Sequence, residues 1–368
     1  MKKNLIALAV LAASGVASAQ SNVTLYGLVD AYVGTLKVNG LRQTGVNLAN
    51  PAGGSDGGFN SSRFGLKGSE ELGGGLKANF VLEAGFDPST GVAQSYNSQF
   101  TPTPSSSNAV FGRQSWVGLS GGFGEVKLGK MWTPYDEVKG SGAAAFDANI
   151  FAPAANVWFS NNYSDRPGNA IYYSTPNFSG FSAAVSYSFG ENKTGAALVA
   201  APVLPAGSTA TAVGTPANTD AGKIISVNVQ YAGGPVAAAL AHQREEANGS
   251  LPTIKFTQLN GSYDLGVVKV LAAYGNVKLG GDKANEYQVG VDVPLGGALT
   301  VSGGVAASKS KFALGTPEAK RTGFGLAAKY DLSKRTFLYT GLQAAKEKVA
   351  GSPDAKVEAF AVGVQHKF

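Results

Sequence analysis

Apolar and polar side chains alternate with a period of two through most of this chain. The last alternating segment separates its two faces well, with Phe360, Val362, Val364, His366 and Phe368 on one and Ala361, Gly363, Gln365 and Lys367 on the other. The same pattern recurs at 181–189, 225–231 and 286–293. A period of two is that of a β-strand whose two sides meet different surroundings. The chain is therefore predicted to be all-β, with its apolar face either inside a soluble barrel or outside a membrane barrel.

Short segments of Gly, Asn, Asp and Ser, the residues that tight β-hairpins favour, separate the alternating stretches. Seven tight turns are predicted at 71–74, 120–122, 177–180, 233–235, 264–266, 294–297 and 331–333. Eight longer connections are predicted at 39–57, 87–107, 133–166, 191–222, 243–253, 279–285, 310–321 and 347–356. Because the two kinds of connection alternate, they predict sixteen antiparallel strands.

A barrel of this strand number can enclose a water-filled channel, whereas about eight strands are filled by their own side chains. An even number is usual for single-chain bacterial outer-membrane barrels, whose short turns are periplasmic and whose long loops are extracellular. Aromatic residues near strand ends are candidates for the girdles at the two membrane interfaces. They are Tyr26, Trp132, Tyr173, Tyr187, Tyr231, Tyr263 and Tyr330.

The N-terminus has the three regions of a secretory signal peptide. Two lysines precede an apolar run at 5–16, and Ala17-Ser18-Ala19 supplies a small-residue cleavage site. The run is too short for a spanning helix, which needs roughly 20 apolar residues. We therefore expect a cleaved signal peptide at 1–19 and a barrel at 20–368. Export, a chain that ends on Phe368 and the strand count together favour the membrane barrel over the soluble one.

Composition removes several classes of protein. The mean hydropathy of 0.00 and the lack of a long apolar run in the mature chain exclude an inner-membrane helical bundle. The chain has no cysteine, so disulfides do not stabilise it. Its 30 basic and 24 acidic side chains give an excess too small and too dispersed for nucleic-acid binding, although it could favour anions in a pore.

The connection at 133–166 differs from the other long ones. It contains Phe146, Phe151, Trp158 and Phe159 and is too apolar to lie free in water. We expect it to fold inward against the barrel wall and to narrow the channel. The connection at 191–222, in contrast, is rich in Ala, Thr and Pro and is expected to be a solvated surface loop.

No enzyme chemistry is predicted. Gly124 to Lys130 has the spacing of a phosphate-binding loop, but Met131 follows where Ser or Thr is required and no helix is expected there. His242 and His366 are the only histidines, and neither has a partner at the spacing of a catalytic triad or a metal site. We expect no cofactor and no metal.

Several segments resemble the trimeric general-diffusion porins of Gram-negative bacteria, and among them the betaproteobacterial type. The matching pieces, which span the mature chain, are 23–27, 62–73, 111–119, 124–129, 172–178 and 364–368. The resemblance implies a homotrimer in the cell outer membrane that passes ions and small hydrophilic solutes by diffusion. It also implies contact with outer-membrane lipid and lipopolysaccharide, and recognition of Phe368 by the barrel assembly machinery.

In that family a constriction at mid-height sets basic residues of the wall against acidic residues of the inward third loop. The resemblance implies that Arg63, Arg113 and Arg166, with Lys67, form the basic side. On the acidic side, Asp136, Glu137 and Asp147 are candidates from the loop, and Asp30 is a candidate from the first strand. Alternation allows Arg63 and Arg113 to face the channel. Leu28 stands where enterobacterial relatives have lysine, which argues against strong anion selectivity.

Two other functions stay open at this point. The first is a substrate-selective channel for an anionic or sugar-like nutrient, which would need a ladder of binding residues that the sequence does not display. The second is a surface adhesin or receptor barrel whose function lies in its loops, and loop composition does not reject it.

Overall fold

The computed structural model describes residues 22–48, 57–94, 110–192, 220–221, 223–246, 252–311 and 318–368. The expected signal peptide at 1–19 lies outside these residues, as does most of the connection at 191–222. Within the described part of the chain, sixteen antiparallel strands form one closed sheet in which each strand pairs with its neighbours in sequence. The barrel closes where Leu28–Val38 of the first strand pair with Val357–Lys367 of the last.

The barrel strands are numbered in chain order, and the second consists of two pieces. They are β1 Asn22–Val38, β2 Leu41–Val46 and Arg63–Gly73, β3 Leu76–Phe86, β4 Gln114–Gly121, β5 Gly124–Lys130, β6 Ala170–Ser174, β7 Phe181–Ser188, β8 Lys223–Gly233, β9 Val236–Glu246, β10 Ile254–Asp264, β11 Lys269–Leu279, β12 Asp282–Pro294, β13 Leu299–Lys311, β14 Ala319–Asp331, β15 Thr336–Val349 and β16 Ala355–Lys367. Two-residue strands at Ala93–Gln94, Glu191–Asn192 and Asp220–Ala221 extend the loop ends.

The apolar faces of the strands point outward. Leu240 and Val289 are 53% and 55% exposed, while the polar residues of the opposite faces, such as Ser226, Gln288 and Gln365, are buried inside. This is the reverse of a soluble barrel, in which the apolar face would fill the interior. The predicted all-β, sixteen-stranded membrane barrel is therefore confirmed.

All seven predicted tight turns are present, but two of the predicted long loops are wrong. A hairpin at Asn39-Gly40 joins β1 directly to the upper piece of β2, and Gly280-Gly281 joins β11 to β12. Asn39 and Gly40 have φ of 49° and 89°, the left-handed pair that a two-residue hairpin turn requires. The Asn-Gly pair is itself a strong hairpin signal, and it was masked by the polar residues that follow it.

The second barrel strand consists of two pieces. Leu41–Val46 pair with the second half of β1, and Arg63–Gly73 pair with its first half. Residues 57–62, called the inner segment below, precede the second piece and lie within the barrel. Its Gly58 and Phe59 carbonyls accept hydrogen bonds from the backbone N–H groups of Ile150 and Asn149.

The third loop, residues 131–169, crosses the interior, as predicted. It contains the short helix α1 Pro134–Glu137 and the 3-10 turns Lys139–Gly142, Ala145–Asp147, Pro153–Asn156 and Phe159–Asn162. Wall side chains hold its carbonyl oxygens: Asn228 donates to Pro134 O at 2.8 Å, Gln288 to Gly142 O at 2.9 Å and Gln343 to Ala152 O at 2.8 Å. Among the described residues, no helix is long and apolar enough to cross a membrane.

The loop backbone lies so close to the wall that one wall position must be glycine. A Cβ at Gly325 of β14 would lie 1.9 Å from the carbonyl oxygen of Phe151 in the loop. Both atoms belong to rigid parts of the backbone, so a larger residue would displace the loop. The third loop is thus seated against the wall formed by β8–β15, opposite β2–β6.

The outward orientation of Leu240, near the middle of β9, gives a stability test. Leu240→Arg should lower the free energy of unfolding by about 2–4 kcal/mol, because a cation near the bilayer midplane loses its hydration. Guanidinium unfolding in lipid vesicles, followed by tryptophan fluorescence, measures this change. Thr257→Arg, which is nearer the loop end of the neighbouring strand, should cost about 0–1 kcal/mol. If both substitutions lowered the free energy of unfolding equally, Leu240 would not lie nearer the bilayer midplane than Thr257.

Candidate channel constriction

Glu83 of β3 binds two of the predicted arginines. Its Oε1 lies 2.7 Å from Arg113 Nε, and its Oε2 lies 3.8 Å from Arg63 Nε. Tyr26 of β1 also donates its hydroxyl to Glu83 Oε2 at 3.0 Å. One carboxylate therefore binds two guanidinium groups. Glu83, Tyr26, Arg63 and Arg113 are called the Glu83 cluster below, and together they have a net positive charge.

Trp132 extends this cluster to the third predicted arginine. The Cζ atom of Arg166 lies 3.4 Å from the centre of a Trp132 ring, and that of Arg113 lies 5.7 Å from it. Arg166 Nη1 also lies 3.1 Å from Asp165 Oδ2. A cation over the face of an indole is attracted by the negative charge of the ring face. The structure thus brings Arg63, Arg113 and Arg166 together around Glu83 and Trp132.

Two girdle assignments are corrected by these contacts. Tyr26 and Trp132 were predicted at the membrane interface, but both point into the barrel toward arginines and Glu83. Trp132 follows the last residues of β5, where the chain turns into the third loop, so it belongs to the interior rather than to the outer surface.

Arg113 and Arg166 both lie outside the barrel strands. Arg113 lies one residue before β4, and the inward residues of that strand are Gln114 and Trp116, which bond to each other. Arg166 lies in the third loop, before β6 begins at Ala170. Alternation extends only through paired strand residues, and it did not apply to either arginine.

Lys67 is exposed beside the cluster, with its Nζ 5.3 Å from the ring centre of Tyr26. Lys127 and Lys130 enlarge the basic side and were not predicted. Lys127 Nζ lies 4.6 Å from the ring centre of Tyr172, and Lys130 Nζ donates to Arg166 O at 2.5 Å. Both lysines stand in the segment 124–130, which has the spacing of a phosphate-binding loop but forms strand β5.

Two acidic residues of the third loop approach this basic wall. Glu137 accepts a hydrogen bond from the Tyr172 hydroxyl at 2.8 Å, next to Lys127. Asp136 accepts one from the Tyr163 hydroxyl. Burial and the like charge of Asp165 raise the pKa of Asp136, while Lys139 and Arg166 oppose the rise.

Asp147, the third acidic candidate of the loop, does not approach the basic wall. It lies in a 3-10 turn that packs against β12, β13 and β14, on the other side of the loop from the arginines. Burial raises the pKa of its carboxyl, and Lys139 is the one cation that counteracts this. The structure therefore separates Asp147 from the other two candidates.

Asp30 does not line the channel, which corrects the expectation for this residue. Its side chain has no exposed surface and lies beneath the inner segment. Its carboxylate accepts the backbone N–H groups of Phe59 and Asn60, each at 3.2 Å, and the Tyr339 hydroxyl at 2.6 Å. Asp30 stands on the inner face of β1, but residues 57–62, which are distant from it in sequence, cover it.

The comparisons with known proteins agree with this architecture. A family model described as Gram-negative porin matches residues 6–350. The chain belongs to the Gram-negative porin family. It is 35% identical to outer membrane porin protein 32 of Delftia acidovorans, over 99% of this chain and 95% of that protein. It is 33% identical to an outer membrane porin protein of Bordetella pertussis over the full length of both.

A solved structure supports the same assignment. The anion-selective porin from Comamonas acidovorans superimposes with a TM-score of 0.73 and 29% sequence identity, covering 95% of this porin and all of that chain. Both the sequence and the fold thus place this protein among outer-membrane channels.

The arginines of this porin differ in their access to water. Arg63 keeps 27% of its side chain exposed, whereas the side chains of Arg113 and Arg166 are 4% and 5% exposed. Of the four predicted basic residues, Arg63 and Lys67 are therefore the ones with side chains open to water. The charges of Arg113 and Arg166 lie inside the protein, where they are screened less than in water.

Glu83→Gln tests the charge balance of the cluster. The carboxylate between two guanidinium groups is lost, so the channel should become more selective for anions, as measured by zero-current potential across a salt gradient. The free energy of unfolding should fall by about 3–5 kcal/mol, because a buried cation loses its partner. The matched control is Glu358→Gln, which breaks an outward ion pair with Lys37. A potential equal to that of the control would mean that Glu83 does not act on the channel.

Asp136 gives a test of pH dependence. Because its pKa is raised, it gains a proton at a pH at which ordinary aspartates, with pKa of about 4, are still charged. As the pH falls through the weakly acidic range, the loop loses a negative charge near Arg166, and anion preference should increase. Zero-current potentials at a series of pH values measure this step. This pH-dependent step in the potential should be absent in Asp136→Asn. If the step persists in that variant, another titrating group causes it.

Proposed function

We propose that this porin is a passive diffusion channel for ions and small hydrophilic solutes with a weak preference for anions. The observation that carries the proposal is the Glu83 cluster, in which one carboxylate is shared by Arg63 and Arg113 beside the exposed Lys67. The wall opposite the third loop therefore has an excess of positive charge. Family and fold indicate a channel rather than an enzyme.

The third loop supplies the narrowing. It occupies the side of the lumen formed by β8–β15, so solutes pass between the loop and the basic wall of β2–β6. Cations on one side and Asp136 and Glu137 on the other produce a field across the channel that orients water. An apolar solute must displace this oriented water, and it is retarded relative to a small polar one.

The preference for anions is proposed to be weak for two reasons. Leu28 leaves the inner face of β1 without the lysine of the enterobacterial relatives, and Asp136 and Glu137 oppose the basic wall. Asp30 is buried beneath the inner segment, where solutes do not touch it. Asp147 lies in the turn that packs against β12–β14, away from the basic wall.

The biogenesis and assembly of this porin are part of the proposal. We infer a signal peptide at 1–19, cleaved on export, a homotrimer, and recognition of the C-terminal Phe368 by the barrel assembly machinery. In support, Phe368 is 44% exposed at the end of the closing strand, and its backbone exchanges two hydrogen bonds with Gly27. We also infer that the outer surface of the barrel contacts outer-membrane lipid and lipopolysaccharide.

The test compares two variants in planar bilayers. The first is Glu83→Gln, and the second adds Arg63→Ser, Arg113→Ser and Arg166→Ser to it, so that no carboxylate is left buried without a partner. The second variant should shift the zero-current potential toward cations relative to the first, because three fixed positive charges are lost. An unchanged potential would show that the arginines do not control selectivity.

The same recordings separate the alternative functions. Block of the conductance by one solute at low concentration would favour a substrate-selective channel. Absence of ion conductance in correctly folded protein would contradict the porin function and favour a receptor or adhesin barrel.

A further inference from the structure

The buried carboxylate of Asp30 has a role that the charge of the channel surface does not explain. In the described part of the chain, no lysine or arginine forms an ion pair with it. Its hydrogen-bond donors are the N–H groups of Phe59 and Asn60 and the hydroxyl of Tyr339. A hydrogen bond to an ionised acceptor is stronger than one between neutral groups. Two of the three donors belong to the inner segment, so the charge of Asp30 holds this segment to the wall.

Further hydrogen bonds fasten the same segment. The Asn60 side chain donates to Gln365 Oε1 of β16 at 2.7 Å. The Ser62 hydroxyl accepts the N–H of Asp30 at 2.9 Å and lies 3.1 Å from the Asp30 carbonyl oxygen, to which it donates. The inner segment therefore lies across β15, β16 and β1, the strands on either side of the barrel closure.

The inner segment in turn holds residues 145–150 of the third loop, called the loop tip below. The N–H of Ile150 donates to Gly58 O at 3.0 Å, and the N–H of Asn149 donates to Phe59 O at 3.2 Å. The Asn149 side chain also donates to the Ser61 hydroxyl oxygen at 3.2 Å. The loop tip is thus bonded to the inner segment, and the inner segment is bonded to Asp30.

The loop tip has a sterically unfavourable backbone that needs such support. Ala145, Phe146 and Asp147 have φ of 53°, 62° and 51°, a left-handed conformation that residues with a Cβ rarely adopt. A strained stretch of this kind persists only where its surroundings hold it. The Phe59 ring supplies part of that support, because its centre lies 5.4 Å from that of Phe146 and 4.9 Å from that of Phe337 in the wall. Loss of the inner segment from its seat would therefore free the loop tip as well.

The inner segment also leads directly into Arg63, the exposed arginine of the basic wall. The Arg63 guanidinium donates from Nη1 to the Ser61 carbonyl oxygen at 3.0 Å, while the hydroxyl of Ser61 accepts from Asn149 of the loop tip. The loop tip, the inner segment and Arg63 are therefore connected by hydrogen bonds. Asp30 joins this connected unit to the barrel wall.

We propose that Asp30 is a positioning residue that keeps the channel open by holding the inner segment against the wall. Without its charge, the N–H groups of Phe59 and Asn60 lose an ionised acceptor inside the barrel, and leaving them buried without a partner is costly. They regain hydrogen bonds when the inner segment moves into the water of the lumen. That movement narrows the channel and releases the loop tip. The proposal rests on the channel function proposed above.

The test records single channels of the full-length, purified porin in planar bilayers. Asp30→Asn keeps the size of the side chain but removes its charge, so it should lower the mean conductance and add brief closures. The largest neutral poly(ethylene glycol) that enters the channel should become smaller, and this readout does not depend on charge. The matched control is Glu347→Gln, which removes a buried carboxylate that binds Arg321 rather than the inner segment. Both variants should be less stable to guanidinium, but the control should keep the polymer limit and show no added closures.

A single cysteine reports the position of the inner segment directly. The chain has no cysteine and Ser61 is only 8% exposed, so Ser61→Cys places one buried thiol in the segment. Combined with Asp30→Asn, this thiol should react with a water-soluble maleimide about tenfold faster than in the presence of Asp30. A hydrogen bond to a charged group commonly shifts an equilibrium by at least about this factor. Combined with Glu347→Gln, the thiol should react at the rate seen with Asp30 and Glu347 both present.

A second variant tests the same seat if Asp30→Asn does not fold. Gly58→Ala keeps the charge of Asp30, but its Cβ would lie 2.0 Å from the hydroxyl oxygen of Tyr339, so it should lift the inner segment and change the recordings in the same way. Polymer limits, closures and thiol reactivity equal to those of Glu347→Gln would overturn the proposal. A larger polymer limit would also overturn it, because the inner segment would then obstruct the channel from its seat. Both results leave the channel function intact, whereas absence of conductance in the folded, unchanged protein would contradict that function itself.

Discussion

The structure depends on one constraint: a chain that crosses a bilayer must pair every backbone N–H and C=O within itself. A sheet meets this requirement only when it closes, because an open edge would leave a row of unpaired groups in lipid. Here the closing pair is β1 with β16, joined over Leu28–Val38 and Val357–Lys367. Once the sheet is closed, its outer face must be apolar, and the polar residues are left to line the interior.

The polar interior then becomes the scaffold for the channel. Amide side chains such as Asn228, Gln288 and Gln343 hold the carbonyl oxygens of the third loop, and Asp30 holds the inner segment that supports the loop. These hydrogen bonds satisfy groups that would otherwise be buried without partners. The narrow part of the channel is thus built from the same polar residues that the membrane excludes from the outer face.

Positive charge occurs on both surfaces of the barrel, but its setting differs. Inside, Arg113 is buried and shares the carboxylate of Glu83, so the charge is fixed in position and partly balanced. Outside, Lys278 and Lys283 are exposed and face each other without a described carboxylate, so their balance must come from the surroundings. The arginines face the interior of the barrel, whereas the lysines face its surroundings.

The sequence alone predicted the strands and their number, because the period of two is a local property repeated in every strand. The outward orientation of the apolar face followed from the export signal, Phe368 and the strand count rather than from the period itself. It also identified Arg63, Arg113 and Arg166 by their resemblance to family motifs. The tertiary structure decided what those residues touch. Glu83 looked like any other inward strand residue, and the burial of Asp30 depended on 57–62, which lie far from it in sequence. Local periodicity fixes the side of the wall on which a residue stands, but its charge balance and access to water depend on chain segments that only folding brings beside it.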